Sequence, residues 1–331
     1  MKLLIITQKV DANDDILGFF HHWLEKFSQK FEKITVICLQ KGKYQLPSNV
    51  NVFSLGKESG RFRLKYIWRF YKYIFGLWDE YEAVFVHMNP IYIVLGGLFW
   101  RLDRRKIILW YNHPRGNLMA RAAYFLAHQI CYTSSKSFFA GRKRALIMPA
   151  GIDTERFKRI DDIQRKKNSI LYLGRISPVK NIDILIEAVK ILSGKNIDFK
   201  LNIVGGFIEG LEKYEKIKFY PPVPNYETPE IYNQNEIFVN LTDTGSFDKT
   251  ILEAMACENI VLVSNISFND LIPPELIFKE KNPEDLAGKL VFALSLSNEE
   301  KQRYGKIFRQ KVVENHNLDK LIKEIKDIIE K

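Results

Sequence analysis

The residues of this chain best suited to chemistry are a carboxylate, a helix start and a pair of cations. Glu253 sits in the run Gly245-Ser246-Phe247-Asp248-Lys249-Thr250-Ile251-Leu252-Glu253-Ala254-Met255-Ala256-Cys257. A polar turn, Thr242 to Ser246, follows the strand-like run Glu236 to Leu241, and a helix is expected to begin near Asp248. Ile251, Leu252, Ala254, Met255 and Ala256 make that helix apolar on several sides, which suits burial between layers. A carboxylate in its second turn is costly unless hydroxyls or cations satisfy it. The free backbone N–H groups of a helix start favour an anion, and phosphate is the common one. Hydroxyl-binding carboxylate beside phosphate-binding helix start suits a nucleotide sugar. A capped core helix with a surface-reaching Glu accounts for the same residues equally well.

The cations are in Gly174-Arg175-Ile176-Ser177-Pro178-Val179-Lys180, where a strand ends in a glycine turn and Lys180 is expected at the start of the next helix. An Arg that binds in two-pronged fashion and a Lys acting as a point charge suit a diphosphate; a solvated basic turn is the plainer alternative. His113, in Tyr-Asn-His-Pro-Arg-Gly, sits just past a strand, with Pro114 and Gly116 fixing the turn and Arg115 beside it. A histidine at a strand's carboxyl end points into a ligand cleft, which favours a site role. Gly18, where a loop becomes a helix, allows close backbone approach by a ligand or is simple helix entry. His21 is a secondary candidate on that helix. No GxGxxG run is present, which argues against nicotinamide or flavin.

These residues require strands to present them. Strands are expected at Leu3 to Thr7, Ile34 to Leu39, Val50 to Leu55, Ala83 to His87, Ile107 to Tyr111, Ile130 to Thr133 and Leu146 to Met148. A second series follows at Ile170 to Leu173, Lys200 to Val204, Ile217 to Phe219, Ile237 to Leu241, Ile260 to Val263 and Leu276 to Phe278. Helical stretches between them imply two parallel α/β sheets with helices on both faces. In such doubly wound, Rossmann-like domains ligands bind at strand carboxyl ends, in a cleft where the domains face each other. The boundaries read as 1–152; 153–314, opening on a polar linker, Asp153 to Ser169; and 315–331, an amphipathic helix expected to pack back on the first domain. The 331 residues suffice for two cores.

Charge is uneven. Residues 1–149 hold 23 Lys and Arg against 10 Asp and Glu, and the remainder 27 against 29, so the whole excess lies in the first half. An anionic partner is expected there, and nucleic acid, acidic lipid and polyanionic glycan all fit. The stretch Arg61 to Trp78 puts Arg61, Lys65, Arg69 and Lys72 on one helical stripe beside a broad aromatic face. That pattern suits a helix lying on an anionic membrane surface, and equally a helix packed on its own sheet with the cations in water. Three scattered cysteines, Cys38, Cys131 and Cys257, in apolar runs suggest buried thiols in a reducing cytoplasm. No apolar run is long enough to cross a membrane.

Taken together, these motifs resemble the retaining glycosyltransferases of family 4, which have the GT-B fold, over nearly the whole chain. Val204-Gly205-Gly206, the Gly245 to Cys257 run, Gly174-Arg175 with Lys180, and Met148 to Phe157 occur in the family's order, and His113 falls where the family has an active-site histidine. The resemblance implies sugar transfer from a nucleoside diphosphate donor with retention at the anomeric carbon, the first domain taking the acceptor and the second the nucleotide sugar. Arg175, Lys180 and the amides near Thr250 and Ile251 would stabilise the leaving diphosphate, Glu253 would hold the ribose, and His113 would act from the acceptor side, where Gly18, His21 and Arg115 also lie. Gly174, Gly205, Gly245, Ser246, Phe247 and Asp248 complete the expected donor site. No Asp-x-Asp motif is present, so no metal and no cofactor are expected. The family's first glutamate is replaced by Gly245, which leaves the donor sugar open and makes Asp243 or Asp248 its candidate substitute; Glu258 replaces a family glycine. A lipid-linked or envelope-glycan acceptor at the inner face of the cytoplasmic membrane fits the basic half. A non-catalytic sugar-nucleotide-binding protein is the competing reading. Nucleic-acid binding ranks last, because the basic residues are split among helices and loops.

Overall fold

The computed structural model describes every residue except Arg61, Asn196, 211–213 and Ser246. It divides into two compact units, one of Met1–Gly151, Pro224–Tyr226 and Leu318–Lys331, the other of Ile152–Val223 and Glu227–Asn317.

The first unit carries β1 (Lys2–Val10), α1 (Phe19–Ser28), β2 (Lys33–Lys41), β3 (Val50–Ser54), α2 (Arg63–Gly76), β4 (Ala83–His87), α3 (Pro90–Leu102), β5 (Lys106–Trp110), α4 (Leu118–Leu126), β6 (Gln129–Tyr132) and β7 (Ala145–Ile147). The strands form one parallel sheet in the order β3-β2-β1-β4-β5-β6-β7. Because side chains alternate along a strand, Leu3 and Ile5 enter one core and Leu4 and Ile6 the other. The first core contains Trp23 and Phe27 of α1; the second contains Phe70, Ile93, Trp100 and Ala123 from α2, α3 and α4.

The second unit carries β8 (Ser169–Leu173), α5 (Ile182–Gly194), β9 (Lys200–Val204), β10 (Ile217–Tyr220), α6 (Thr228–Asn233), β11 (Ile237–Asn240), α7 (Lys249–Ala256), β12 (Ile260–Val263), α8 (Pro283–Ser295) and α9 (Asn298–Asn315). Its parallel sheet runs β10-β9-β8-β11-β12. The last helix, α10 (Leu318–Glu330), belongs to the first unit, where Leu318, Leu321, Ile322 and Ile325 complete the α1 core and Asp319 pairs with Lys26 at 3.1 Å.

Two expectations need correction. Leu276 to Phe278 is not a strand: Pro274–Leu276 is a turn of 3-10 helix, and only an isolated bridge joins Ile277 to Val263. Pro273 and Pro274 lack the N–H groups a strand here would need. The stretch expected as a linker is instead folded into the second unit, where Arg159 donates to Asn233 Oδ1 at 2.9 Å and Arg165 to the Cys257 carbonyl at 2.6 Å.

The end of α7 shows what the departure at Glu258 involves. The Asn259 N–H bonds the Ala254 carbonyl and the Glu258 N–H the Met255 carbonyl, each at 3.0 Å, so the helix closes in a Schellman motif. Glu258 takes its left-handed position with φ 63°, a conformation in which glycine avoids the Cβ penalty. Glu258→Gly should therefore stabilise the protein by roughly 0.5–1 kcal/mol in urea denaturation, and Glu258→Ala should not. A Gly variant no more stable than the Ala variant would mean that this position is unstrained.

Candidate active site

Of the residues singled out in the second unit, Lys180 and Thr250 meet at Asp248. It caps α7, accepting from the Thr250 amide at 3.4 Å and the Thr250 hydroxyl at 3.0 Å. Its other oxygen accepts from Asn240 Nδ2 and Thr242 Oγ1, each at 3.1 Å, and pairs with the Lys180 ammonium. Burial alone would raise the Asp248 pKa. The Lys180 charge and hydrogen bonds from Lys180, Asn240 and Thr250 outweigh it, and the carboxyl is held below its ordinary range.

Lys180 ends a 3-10 turn, Pro178–Lys180, rather than opening a helix. Asn181, in the left-handed region at φ 47°, donates to the Leu241 carbonyl at 2.9 Å and to Asp243 at 2.8 Å. The loop after β8 is thereby stitched to the loop after β11. Gly205, at φ 129°, turns the end of β9 against the same loop: a Cβ there would lie 2.1 Å from the Gly174 carbonyl oxygen. Arg175 is exposed, and its carbonyl accepts from the Tyr172 hydroxyl at 3.0 Å. Gly245 has φ 109°, a conformation strained for a glutamate.

Glu253 is buried and accepts from the Tyr232 hydroxyl at 3.1 Å; burial and that carboxylate push the Tyr232 hydroxyl well up. Phe247 stacks on Phe268, centroids 4.5 Å apart, and the Ile251 side chain is buried in the core. Ser246 lies outside the described residues. Three participants escaped the sequence reading. Asn181 and Asn240 tie the loops together, and burial pulls the Lys249 ammonium down to about 7 against the opposing effect of the Glu253 charge. Lys249 did carry a signal: a cation in the first turn opposes the helix dipole.

In the first unit His113 is exposed, and its Nδ1 lies 2.9 Å from the Arg115 carbonyl oxygen and 3.0 Å from the Arg115 amide. The turn is fixed by a Tyr111 hydroxyl bond to the Arg115 carbonyl at 2.8 Å and by Gly116, where a Cβ would strike the Phe138 ring at 2.2 Å. Gly18 enters α1, and a Cβ on it would meet the Asp14 carbonyl at 2.4 Å. His21 faces the interior: it is buried, and its Nε2 accepts from the Gln45 amide at 3.2 Å. Ligand atoms of His21, His22 and Glu25 lie within 4.8 Å of one another. With Nε2 accepting, the neutral His21 ring keeps its proton on Nδ1, toward Glu25 at 3.4 Å, so the cluster is a carboxylate shared by two imidazoles.

Each unit is a Rossmann-like α/β domain built on one parallel sheet. Residues 153–311 match the family model described as glycosyl transferases group 1. An uncharacterized glycosyltransferase, MJ1069 of Methanocaldococcus jannaschii, is 22% identical over 268 residues, 73% of this chain and 68% of the relative. Among solved structures, Anabaena Alr3699/HepE in complex with UDP superposes with TM-score 0.74 at 15% identity, covering 100% of both chains, and it has also been solved with UDP-glucose. Sucrose-phosphate synthase (tll1590) from Thermosynechococcus elongatus superposes with TM-score 0.77 at 14% identity, covering 100% of this chain and 98% of that one. These likenesses support a glycosyltransferase of the GT-B fold.

The Lys180–Asp248 pair gives a direct test of the site's electrostatics. A carboxyl whose pKa falls on folding adds stability above its unfolded value, near 3.8, and loses that contribution as pH drops through the folded value. Wild type should exceed Asp248→Asn in urea-denaturation stability at neutral pH, and the gap should close as pH falls below about 4. A gap unchanged down to about pH 2 would mean that the charge contributes nothing.

Proposed function

We propose that the protein is a retaining glycosyltransferase that moves a sugar from a nucleoside diphosphate donor to a lipid-linked or envelope-glycan acceptor, working at the cytoplasmic face of the membrane. The observation that carries the reading is the convergence of Lys180 and the Thr250 amide on one anionic group at the start of α7, with Glu253 a turn further along. The positive potential that holds Asp248 is of the kind a diphosphate requires. The family match over residues 153–311 supports the donor side, and the HepE complexes make uridine the base to try first.

In the reaction the bond from the anomeric carbon to the diphosphate oxygen breaks, and its electron pair leaves on the phosphate. Arg175, Lys180 and the α7 amides take up that charge, and Glu253 accepts the ribose hydroxyls. The acceptor oxygen adds to the same face of the sugar and its proton passes to the leaving phosphate, so no protein nucleophile is needed. His113 orients an acceptor hydroxyl through its free ring edge, and Gly18 and Arg115 serve the same side. No metal takes part, because the cations do its work.

The absence of a carboxylate at Gly245 favours a second reading, a binding protein that holds the nucleotide sugar without turnover. Titration calorimetry with a panel of nucleoside diphosphates separates the two. One diphosphate, UDP first, should bind, unaffected by EDTA, and Arg175→Ala should weaken binding roughly tenfold or more through loss of a charged hydrogen bond. Binding with no sugar transfer or donor hydrolysis would favour the second reading, and no binding by any nucleotide would sink both.

A further inference from the structure

The outer side of the helical layer formed by α2, α3 and α4 is unusually apolar. Trp68 is 62% exposed, Leu102 76% and Phe125 71%, with Leu64, Phe75 and Leu98 also open to solvent. These residues belong to neighbouring helices. Phe75 meets Phe99 edge-on with centroids 5.1 Å apart, the Tyr71 hydroxyl bonds the Leu95 carbonyl at 3.2 Å, and Arg101 bonds the Leu126 carbonyl at 2.8 Å. A shallow groove between α2 and α3 is floored by Phe75, Trp78, Phe99 and Leu102. Large exposed apolar patches of this kind mark an interaction surface.

The same helices carry exposed cations: Lys65 and Lys72 on α2, Arg101 on α3, Arg104 just past its end, and Arg121 on α4. The Lys72 ammonium lies 5.4 Å from the Trp68 ring centre, so charge and apolar surface are interleaved. Asp103, the acidic residue in the groove lining, is engaged by Arg105 at 2.6 Å.

We propose that this three-helix face docks on an anionic lipid bilayer, its apolar side chains entering the interface while its cations meet lipid phosphates. Charge selects this occupant. A two-fold contact between copies through the same face would set each basic cluster against itself, whereas an anionic surface attracts every cation on it. Single-helix patterning in the sequence pointed only to α2; the contributions of α3 and α4 come from the fold. The inference rests on the reading that the acceptor is membrane-borne, but not on the transfer chemistry.

The test is co-sedimentation of the full chain with vesicles of phosphatidylcholine alone and of phosphatidylcholine mixed with phosphatidylglycerol. Wild type should bind the mixed vesicles at low salt and release at high salt. Lys65→Glu with Lys72→Glu, and separately Leu98→Ser with Leu102→Ser, should each weaken binding by about tenfold or more. Sedimentation velocity without lipid identifies a second copy as occupant. Wild type that ignores anionic vesicles, either variant binding as tightly as wild type, or a wild-type dimer that the serine variant splits would overturn the proposal. UDP calorimetry on the same variants should be unchanged, so failure of vesicle binding with nucleotide binding intact leaves the donor-site reading standing.

Discussion

The second unit depends on one charge pair. Asp248 and Lys180 lie 68 residues apart in the chain, and their contact requires the ends of β8 and β11 to lie side by side, as the pairing of Ile237 with Ile170 provides. A carboxylate this enclosed is tolerable only when its oxygens are satisfied, and Asn240, Thr242 and Thr250 do that. The capping of α7, the path of the polar loop before it and the position of Lys180 are therefore a single electrostatic solution.

That solution bears on ligand binding. The groups assigned to a diphosphate, Lys180 and the Thr250 amide, are both turned toward Asp248, and the Ile251 amide bonds the Asp248 carbonyl at 3.3 Å. An incoming dianion need not expel Asp248. Lys180 has three donor hydrogens, and Asp248 holds its stem where a second acceptor can be met. What Asp248 cannot readily do is replace the missing glutamate as a sugar ligand, because its oxygens are already spent. The vacancy left by a side chain at Gly245, in a backbone conformation that suits glycine, is thus not refilled from the same loop by Asp248. Asp243 is also engaged, by Asn181.

Legibility followed the range of the forces involved. Buried parallel strands read as continuous apolar runs, and β4, β9 and β12 carry the bounds expected from such runs. The run Leu276 to Phe278 is equally apolar, but two prolines before it remove ladder donors, a local rule that pattern alone overrode. Arg175, Lys180 and Glu253 were singled out because their types are rare at strand ends and in apolar helices, and of these the structure brings Lys180 to Asp248. Asn181 was not singled out, because an asparagine on a loop has many short-range uses and its bond to the Leu241 carbonyl, 60 residues away in the loop after β11, appears only once the strand order is known. Asn240, the last residue of β11, reads as the end of an apolar run.

His21 and Lys249 mark the same limit from opposite sides. His21 was singled out as lying near the expected ligand cleft, but the Gln45 amide claims its Nε2, a partner that only the approach of the chain after β2 supplies. Lys249 was not singled out, and burial brings its ammonium down to about 7. A histidine draws attention because its ordinary pKa is near neutral. Here it is the lysine, with an ordinary pKa far above neutrality, that burial has brought into that range beside the carboxylate of Glu253.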